Sequence, residues 1–340
     1  MLGARYLSSD DIAGLATQAE FVDAVRQAYR ERGEGAPTHP RVTLETDDPA
    51  GLLNSYMAIL PETGVMGGYM YSAGFADGNA RFATPLFDAE TGRPLAVVDG
   101  AGMNTYKTGA VGAVGIDALA REDADTLAVV GSGAQARGQL RAAVTVREFE
   151  DIRVFSPTPA HRESFAAEMC ASLGVDVRPV ADSTTAVTGA DVVVTATNAS
   201  DPVTASEDIE PGTHITAIGQ YDPDKRELDA ETVRRAVYVP DLRERAFRDA
   251  GAFLQARAAG VVDDGHIHAE LGEVIAGTAP GRTDPDQVTV FDSGGTALET
   301  LASAALLYRR ATERGLGTEI TFASANEAYT GKRADTSEEL

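Results

Sequence analysis

A β-strand, a glycine-rich loop and a helix follow one another in LAVVGSGAQARGQL, residues 127–140. Gly131, Gly133 and Ala136 give the spacing GxGxxA, which is typical of dinucleotide-binding loops that stand between a strand and a helix. Glycine at 131 permits a tight turn, and glycine at 133 lets the backbone approach a pyrophosphate, which the N-terminus of the helix stabilises. We therefore predict a dinucleotide cofactor here, bound by both glycines with Ala134, Gln135 and Ala136.

The rest of the second half of the chain has the pattern of a parallel sheet. Apolar segments with little alternation exchange with helical segments, which is typical of strands buried on both faces of a doubly wound sheet. The predicted strands are TLAVV, DIRVF, DVVVTAT, HITAIG, AVYVP and VTVFD. The fold predicted for this half is a Rossmann-type, doubly wound α/β domain.

The first hundred residues follow a different pattern. SSDDIAGLATQAEFVDAVRQAYRERGEG begins with capping residues, has apolar residues at helical spacing and ends in glycines, so it predicts helices. Five short β-rich segments then predict a meandering sheet, namely PRVTLE, SYMAIL, GGYMYSAGF, RFATPLF and LAVVDG. A chain of 340 residues has room for two domains, each with its own core.

The end of the predicted strand DIRVF bears on the choice of cofactor. An acidic side chain there would accept the ribose hydroxyls of NAD, but the chain continues as SPTPAHR. Ser156, Thr158 and Arg162 suit a 2′-phosphate, so NADP(H) is favoured within the general expectation of NAD(P)H. The alternative is that Arg162 is a solvated residue at the start of a helix.

The charge of the chain limits its partners. There are 52 acidic and 29 basic residues, a net charge of −23, in a chain that is 43% hydrophobic, so we expect a folded protein with an acidic surface. Salt screens such a surface, which predicts a halophilic protein, and the charge disfavours nucleic acid and anionic membranes as partners. Without an evident signal peptide or apolar span, the expected location is the cytoplasm. The single cysteine, Cys170, excludes an internal disulfide and has the spacing of a core thiol.

Several motifs together resemble the ornithine cyclodeaminase and μ-crystallin family, which includes archaeal alanine dehydrogenase and ketimine reductases. In family order they are PRV, LFDAETGRPLAVVDG, KTGAV, GSGAQAR, TATNASDPV, AIGQYDPDKRELD, GEVIAGTAPGR and VFDSGG. The resemblance implies a Rossmann domain, residues 118–311, inserted in an α+β dimerisation and substrate domain, residues 1–117 with 312–330. The resemblance also implies a homodimer and hydride transfer between nicotinamide and the Cα of an amino or imino acid. Separately, the polar residues 331–340 are expected to form a disordered tail.

The resemblance carries over to individual positions with three departures. Arg41 matches the family arginine that holds the substrate carboxylate. The family's catalytic lysine follows a Gly-Val pair, and Met66 stands in that place. Its second carboxylate-binding arginine falls on Lys107, and its catalytic aspartate falls on Tyr221, with Asp222 next to it.

Further cofactor contacts follow from the family motifs at the ends of later strands. The implied residues are Thr197, Asn198, Gly219, Lys225 and Ser293. For Lys225 the alternative is a solvated loop charge. The scaffold and cofactor loop are therefore kept while the substrate-contacting positions differ.

Lys107 is one of only three lysines, with Lys225 and Lys332, in a chain that otherwise uses arginine. A lysine loses its proton more readily than an arginine when buried. We hypothesise that Lys107 transfers a proton, or that it holds the substrate carboxylate while a tyrosine transfers the proton. The candidate tyrosines are Tyr69, Tyr71 and Tyr221, each of which could instead be a packed aromatic.

His266 and His268, with Asp263, Asp264 and Glu270, have a metal-like composition, but their spacing does not converge on one site, so no metal is predicted. Two functions remain open. The first is an NAD(P)-dependent oxidoreductase that acts on an amino or imino acid, by imine reduction, oxidative deamination or cyclodeamination. The second is a catalytically altered protein that binds a nicotinamide nucleotide or a small ligand.

Overall fold

Two seven-stranded sheets form the framework of the part of the chain that the computed structural model describes, residues 2–76, 78–219 and 221–330. The strand order is β14-β1-β6-β5-β4-β3-β2 in the first sheet and β12-β13-β11-β10-β7-β8-β9 in the second. The expected tail, residues 331–340, lies outside the described residues.

The first sheet is built mainly by the predicted meander. Its strands are β1 (Leu2–Leu7), β2 (Thr38–Asp47), β3 (Ala50–Leu60), β4 (Val65–Ala73), β5 (Arg81–Asp88), β6 (Pro94–Asp99) and β14 (Thr318–Phe322). Neighbours from β2 to β6 pair antiparallel, β1 pairs parallel with β6, and β14 pairs antiparallel with β1. The five predicted strands are confirmed, whereas β1 and the edge strand β14, which extend the sheet beyond β6, were not predicted.

The second sheet is parallel throughout, as its apolar strands indicated. Its strands are β7 (Thr126–Val130), β8 (Asp151–Phe155), β9 (Arg178–Pro179), β10 (Val192–Thr195), β11 (His214–Ala217), β12 (Ala236–Pro240) and β13 (Val288–Asp292). The strand order reverses between β7 and β10, which is where doubly wound sheets bind their ligands. The predicted Rossmann-type fold is confirmed.

The helices cover the sheets and separate them. They are α1 (Ser9–Ile12), α2 (Gln18–Gly33), α3 (Asn104–Leu119), α4 (Ala134–Ala143), α5 (Pro159–Leu173), α6 (Ser183–Val187), α7 (Ala230–Arg235), α8 (Arg243–Asp249), α9 (Gly251–Ala258), α10 (Leu271–Ile275), α11 (Ala297–Glu313) and α12 (Ala325–Thr330). In the described part of the chain, no helix has both the length and the apolar character that crossing a membrane requires.

Capping and small residues explain the longer helices. Helix α2 begins at a capping box in which Thr17 and Glu20 satisfy each other's backbone N–H groups, and α11 begins at an equivalent box of Thr296 and Glu299. Helix α3 lies so close to α4 that a side chain at Gly109 would collide with the α4 backbone. This close packing fixes α3 against the start of the cofactor domain.

Helix α11 packs against α2 and against β3, β4 and β5 of the first sheet. Its apolar face belongs to the large core that also contains Val98 and Leu60. The expected boundary assigned this helix to the dinucleotide domain as far as residue 311. Its contacts instead favour a return of the chain to the first domain near residue 297, because the helix covers the first sheet. The domain limits of 1–117 with 312–330 and 118–311 otherwise stay predictions.

Candidate active site

A cleft with a cavity volume of about 870 Å³ lies between the two sheets. Both domains contribute to its lining. The predicted residues that line it are Arg41, Tyr69, Tyr71, Lys107, Gln135, Tyr221, Asp222 and Ser293. Side chains distant in the sequence therefore meet at one place, as the resemblance implied.

The glycine loop lies at the carboxyl end of β7. Gly131 has a φ of 119°, and a side chain there would collide with the carbonyl oxygen of Ala196, which follows β10. Gly133 is the N-cap of α4 and has open space around it. The first N–H groups of α4, those of Ala134, Gln135 and Ala136, are not capped by a side chain and suit a pyrophosphate. The Oε1 atom of Gln135 is also buried without a hydrogen bond to the described residues. These features fit a dinucleotide.

The end of β8 lies beside this loop. The Ser156 hydroxyl, which is buried, bonds to the Ser132 hydroxyl at 3.0 Å. Arg162 donates to the Ser156 carbonyl oxygen at 2.9 Å and stacks on the Phe155 ring at 5.9 Å. Thr158 is the N-cap of α5. The three predicted groups are thus near one another, with Arg162 held at the strand end.

A buried carboxylate holds together two predicted cofactor segments. Glu227 accepts from the Thr195 hydroxyl at 2.8 Å, from the Thr197 backbone N–H at 2.6 Å and from the Gly219 N–H at 2.8 Å. Burial raises the pKa of Glu227, and these hydrogen bonds oppose the rise. Sequence reasoning missed Glu227, although its place in the KREL segment was a signal.

Two other predicted cofactor residues lie at the edge of this region. Asn198 is exposed beside Thr197. Lys225 pairs with Asp222 at 3.7 Å and is not among the described residues that line the cavity. The contact favours the alternative of a loop charge for Lys225.

Lys107 lies on the first turn of α3, where it is 5% exposed. Its Nζ atom is 3.8 Å from Oε1 of Glu299 and 5.0 Å from the centre of the Tyr69 ring. Burial lowers the pKa of Lys107, and Glu299 opposes the fall. Burial raises the pKa of Glu299, which Lys107 and Thr296 oppose. The cavity therefore holds a buried amine and carboxylate side by side.

Glu299 was not predicted. It accepts from the Thr296 N–H at 2.6 Å, from the Thr296 hydroxyl, and from the Tyr29 hydroxyl at 3.4 Å. In the sequence it has only the signature of a helix-capping residue, TALE, and its distance from Lys107 along the chain hides the contact.

Four aromatic rings form one wall of the cavity. Tyr56, Tyr69, Tyr71 and Phe82 have ring centres 5.3 to 6.2 Å apart. Tyr69 is 4% exposed, yet its hydroxyl has no hydrogen bond to the described residues. Burial raises the pKa of Tyr69, so the hydroxyl carries its proton.

The position of Met66 corrects the expectation for the missing lysine. Successive side chains of a strand point to opposite faces, so Met66 and Met70 of β4 share one face while Tyr69 and Tyr71 share the other. Met66 and Met70 line an apolar groove on the outside of the sheet, and the two tyrosines line the cavity. Tyr69 and Tyr71, rather than Met66, are therefore residues of β4 whose side chains reach the cavity.

Arg41 projects from β2 and already has a carboxylate partner. Its Nη2 atom donates to Oδ2 of Asp249 at 2.6 Å and to the Tyr221 carbonyl oxygen at 2.7 Å. The guanidinium also lies 5.8 Å from the centre of the Tyr221 ring, which is 42% exposed at the mouth of the cavity. Asp249, on α8, was not predicted, and burial raises its pKa while Arg245 and Arg41 oppose the rise.

A buried ion cluster supports the loop that contains Ser293. Arg245 donates to Oδ1 of Asp241 at 2.8 Å and of Asp292 at 2.5 Å, and all three side chains are fully buried. The other Asp241 oxygen accepts from the N–H groups of Gly294 and Gly295 at 2.8 and 3.0 Å. The cluster fixes the floor of the cavity next to Glu299.

The two histidines of the metal-like segment each contact a backbone carbonyl. Nε2 of His266 is 2.7 Å from the Val233 oxygen, and Nε2 of His268 is 2.9 Å from the Pro280 oxygen. Cys170 is half-buried, and its Sγ accepts from the Val177 N–H at 3.2 Å. These groups lie outside the lining of the cavity.

The chain belongs to the ornithine cyclodeaminase/mu-crystallin family, whose sequence model matches residues 5–315. A Delta(1)-pyrroline-2-carboxylate reductase of Bacillus cereus is 36% identical over 238 residues, which are 70% of this chain and 73% of the relative. The family membership that the motifs predicted is confirmed.

Two solved structures share the fold. The Thermococcus litoralis Delta(1)-pyrroline-2-carboxylate reductase in complex with NADH and L-proline has a TM-score of 0.87 at 33% identity, covering 94% of this chain and 99% of its own. An archaeal alanine dehydrogenase dimer with bound NAD has a TM-score of 0.88 at 31% identity, with 95% and 100% covered. The likeness extends over both sheets, so the cavity lies within the shared part of the fold.

Proposed function

We propose that the protein is a nicotinamide-dependent oxidoreductase that interconverts an α-imino acid and an amino acid. The observation that carries the proposal is that Lys107, whose Nζ lies 5.0 Å from the centre of the Tyr69 ring, and the Tyr69 hydroxyl line one cavity, which Gln135 of the cofactor loop also lines. A buried cation suits a carboxylate, and a hydroxyl without a partner suits a nitrogen. The relatives named above act on or bind such compounds.

When bound, the nicotinamide supplies or accepts a hydride at the substrate Cα. In the direction of reduction, the imine nitrogen takes one proton as Cα takes the hydride, and an amino acid results. In this proposal Lys107 and Arg41 hold the carboxylate and Tyr69 gives the proton to nitrogen, which is supported by the fact that all three side chains line the cavity. The alternative proton donors are Lys107 and Tyr221, which lies at the mouth of the cavity. Asp222 is the other group at the mouth, half-buried beside Tyr221.

The aromatic wall favours a substrate with an uncharged side chain or ring. Tyr56, Tyr71 and Phe82 offer apolar faces to whatever stands next to the carboxylate-binding groups. Arg41 must also exchange Asp249 for the substrate carboxylate, so binding replaces one ion pair with another. A cyclic or apolar imino acid fits both features.

We further propose NADP(H) as the preferred cofactor. Support comes from Ser156, Thr158 and Arg162 at the end of β8, and from the absence of a carboxylate in the segment SPTPAHR. A kcat/KM that is higher with NADH than with NADPH would contradict this preference.

We also propose a homodimer formed through the outer face of the first sheet. Met57, Ile59 and Met70 are 54%, 38% and 41% exposed there, and they border a groove of about 560 Å³. A second copy of the chain would cover this face. Light scattering after size-exclusion chromatography, in salt, tests it: a monomer at micromolar concentration would contradict the dimer.

The test of the function is a cofactor-oxidation screen in concentrated KCl. NADH and NADPH are offered separately with cyclic imines such as pyrroline-2-carboxylate, and with pyruvate or glyoxylate plus ammonia or methylamine. Oxidation with at least one imine, lost in Lys107→Ala while the variant still binds the cofactor, is expected. Cofactor binding without turnover of any imine would instead favour the binding-protein alternative.

A further inference from the structure

We propose that Glu299 is a positioning residue that keeps Lys107 as an ammonium ion inside the cavity. The inference rests on the proposed function, in which Lys107 holds the substrate carboxylate. A neutral amine would not hold it, and burial favours the neutral amine. Glu299 supplies the opposing charge at 3.8 Å.

The hydrogen bonds of Glu299 fix its carboxylate in this place. Thr296 donates from its N–H and its hydroxyl, and Tyr29 approaches from α2. Glu299 is 1% exposed, so water does not screen its charge. Its oxygen Oε1 accepts from the Thr296 N–H and also faces Lys107. The capping box of α11 therefore also holds the Glu299 carboxylate in position beside Lys107.

No other carboxylate among the described residues pairs with Lys107. The groups that face it are Glu299 from α11 and the Tyr69 ring from β4. Across the cavity, the charge of Asp249 is engaged by Arg41 and Arg245.

Within the part of the chain that the structure describes, the other elements that border the cavity near Lys107 contribute no further carboxylate that is free to pair with it. From α4 the cavity receives Gln135, which is uncharged, and at the end of β13 Asp292 is engaged by Arg245. Burial is the main cause that raises the pKa of Tyr69, and Tyr71, Glu299 and then Asp99 at the end of β6 add to the rise. Glu299 is thus the charge on which the protonation of Lys107 depends most.

The scarcity of lysine makes a direct test possible. With only Lys107, Lys225 and Lys332 in the chain, protein labelled with ¹³C at lysine Cε has three signals, and Lys107→Arg assigns one of them. A pH titration of that signal reports the protonation of Lys107 in the whole protein, with no substrate needed.

In Glu299→Gln we expect the Lys107 signal to titrate at lower pH than in the wild type, because the amide keeps the helix cap but not the charge. If the Gln variant does not fold, Glu299→Asp is measured in its place. Its shorter side chain moves the carboxylate away from Lys107, so the pH of titration should shift in the same direction. Glu20→Gln is the matched control, since Glu20 has the same place in the capping box of α2 but lies on the surface. It should leave the Lys107 titration unchanged.

If the Lys107 signal of a folded Glu299 variant titrates at the same pH as in the wild type, or at a higher pH, the inference is overturned. Kinetics then separate it from the proposed function. The alkaline limb of the kcat/KM profile should move to lower pH in Glu299→Gln, and should not move when the same change is made in Lys107→Arg, because arginine stays charged. Absence of turnover in the wild type would remove the proposed function, whereas the NMR result would still decide whether Glu299 controls Lys107.

Discussion

Tyr69 allows the chemistry of the cavity to be separated from its stability. Because its hydroxyl has no hydrogen bond in the described residues, Tyr69→Phe should leave the melting temperature unchanged or slightly raised. The same variant should lower kcat/KM for an imino acid by about 10²-fold, the typical contribution of a general acid. Steady-state kinetics and thermal unfolding of the same preparation check both. If Tyr69→Phe is as active as the wild type, Tyr69 is not the proton donor, and Lys107 or Tyr221 becomes the candidate.

His214 makes the stability depend on pH. It is fully buried between the hydroxyls of Thr289 and Thr216, at 2.9 Å each, and Thr289 already donates to the Leu119 carbonyl oxygen. Nδ1 of His214 therefore donates to Thr289, and Nε2 accepts from Thr216. Burial first, and then Arg282 and Arg147, lower the pKa of His214 to about 3.

The unfolded chain takes up this proton near the ordinary value of 6.5, whereas the folded protein does not until about pH 3. Stability is therefore full above the ordinary value and falls by about 1.4 kcal/mol per pH unit below it, down to the folded value. In His214→Asn this part of the acid sensitivity should vanish. Denaturant unfolding at pH values of about 7, 6 and 5 measures the slope; parallel slopes in both proteins would contradict the assignment.

At the scale of elements, the turn between β7 and α4 separates folding from cofactor binding. Gly131→Ala should destabilise the protein, since the left-handed turn and the contact with Ala196 exclude a side chain. Gly133→Ala has open space in the ligand-free protein, so its stability should be nearly unchanged. Its cofactor affinity should fall about tenfold or more, equivalent to ~1.4 kcal/mol, because the methyl group meets the pyrophosphate. Thermal unfolding and fluorescence titration with NADPH test the pair; full affinity in Gly133→Ala would contradict the predicted position of the pyrophosphate.

What the sequence reveals of these elements depends on how local their signal is. The GxGxxA loop and its strand and helix are predictable because all their determinants lie within fifteen or so neighbouring positions. Tyr69 and Met66 were harder, because a strand that starts one residue earlier or later exchanges its two faces. Glu299 and Asp249 reach the cavity only through the packing of α11 and α8, which no local pattern of theirs indicates. Their local signals are those of ordinary helix residues.

At the scale of the whole molecule, the net charge of −23 predicts a salt-dependent stability. Raising KCl from about 0.1 M to about 1 M shortens the Debye length from roughly 10 Å to 3 Å and screens the repulsion among surface carboxylates. The melting temperature should therefore rise steeply over this range. Calorimetry checks it, with an uncharged osmolyte at equal osmolality as the control. A flat response to KCl would contradict the halophilic interpretation.

The ion pair between Arg41 and Asp249 has a consequence for crystallography. Arg41 belongs to β2 and Asp249 to α8, so their 2.6 Å contact ties the first sheet to the dinucleotide domain across the cleft. A ligand whose carboxylate binds Arg41 in place of Asp249 breaks this ion pair. We expect crystals grown without ligand to hold the protein with this ion pair formed, so that soaking cracks them or leaves the cavity empty. Co-crystallisation with an amino acid and oxidised cofactor is the route to the occupied state.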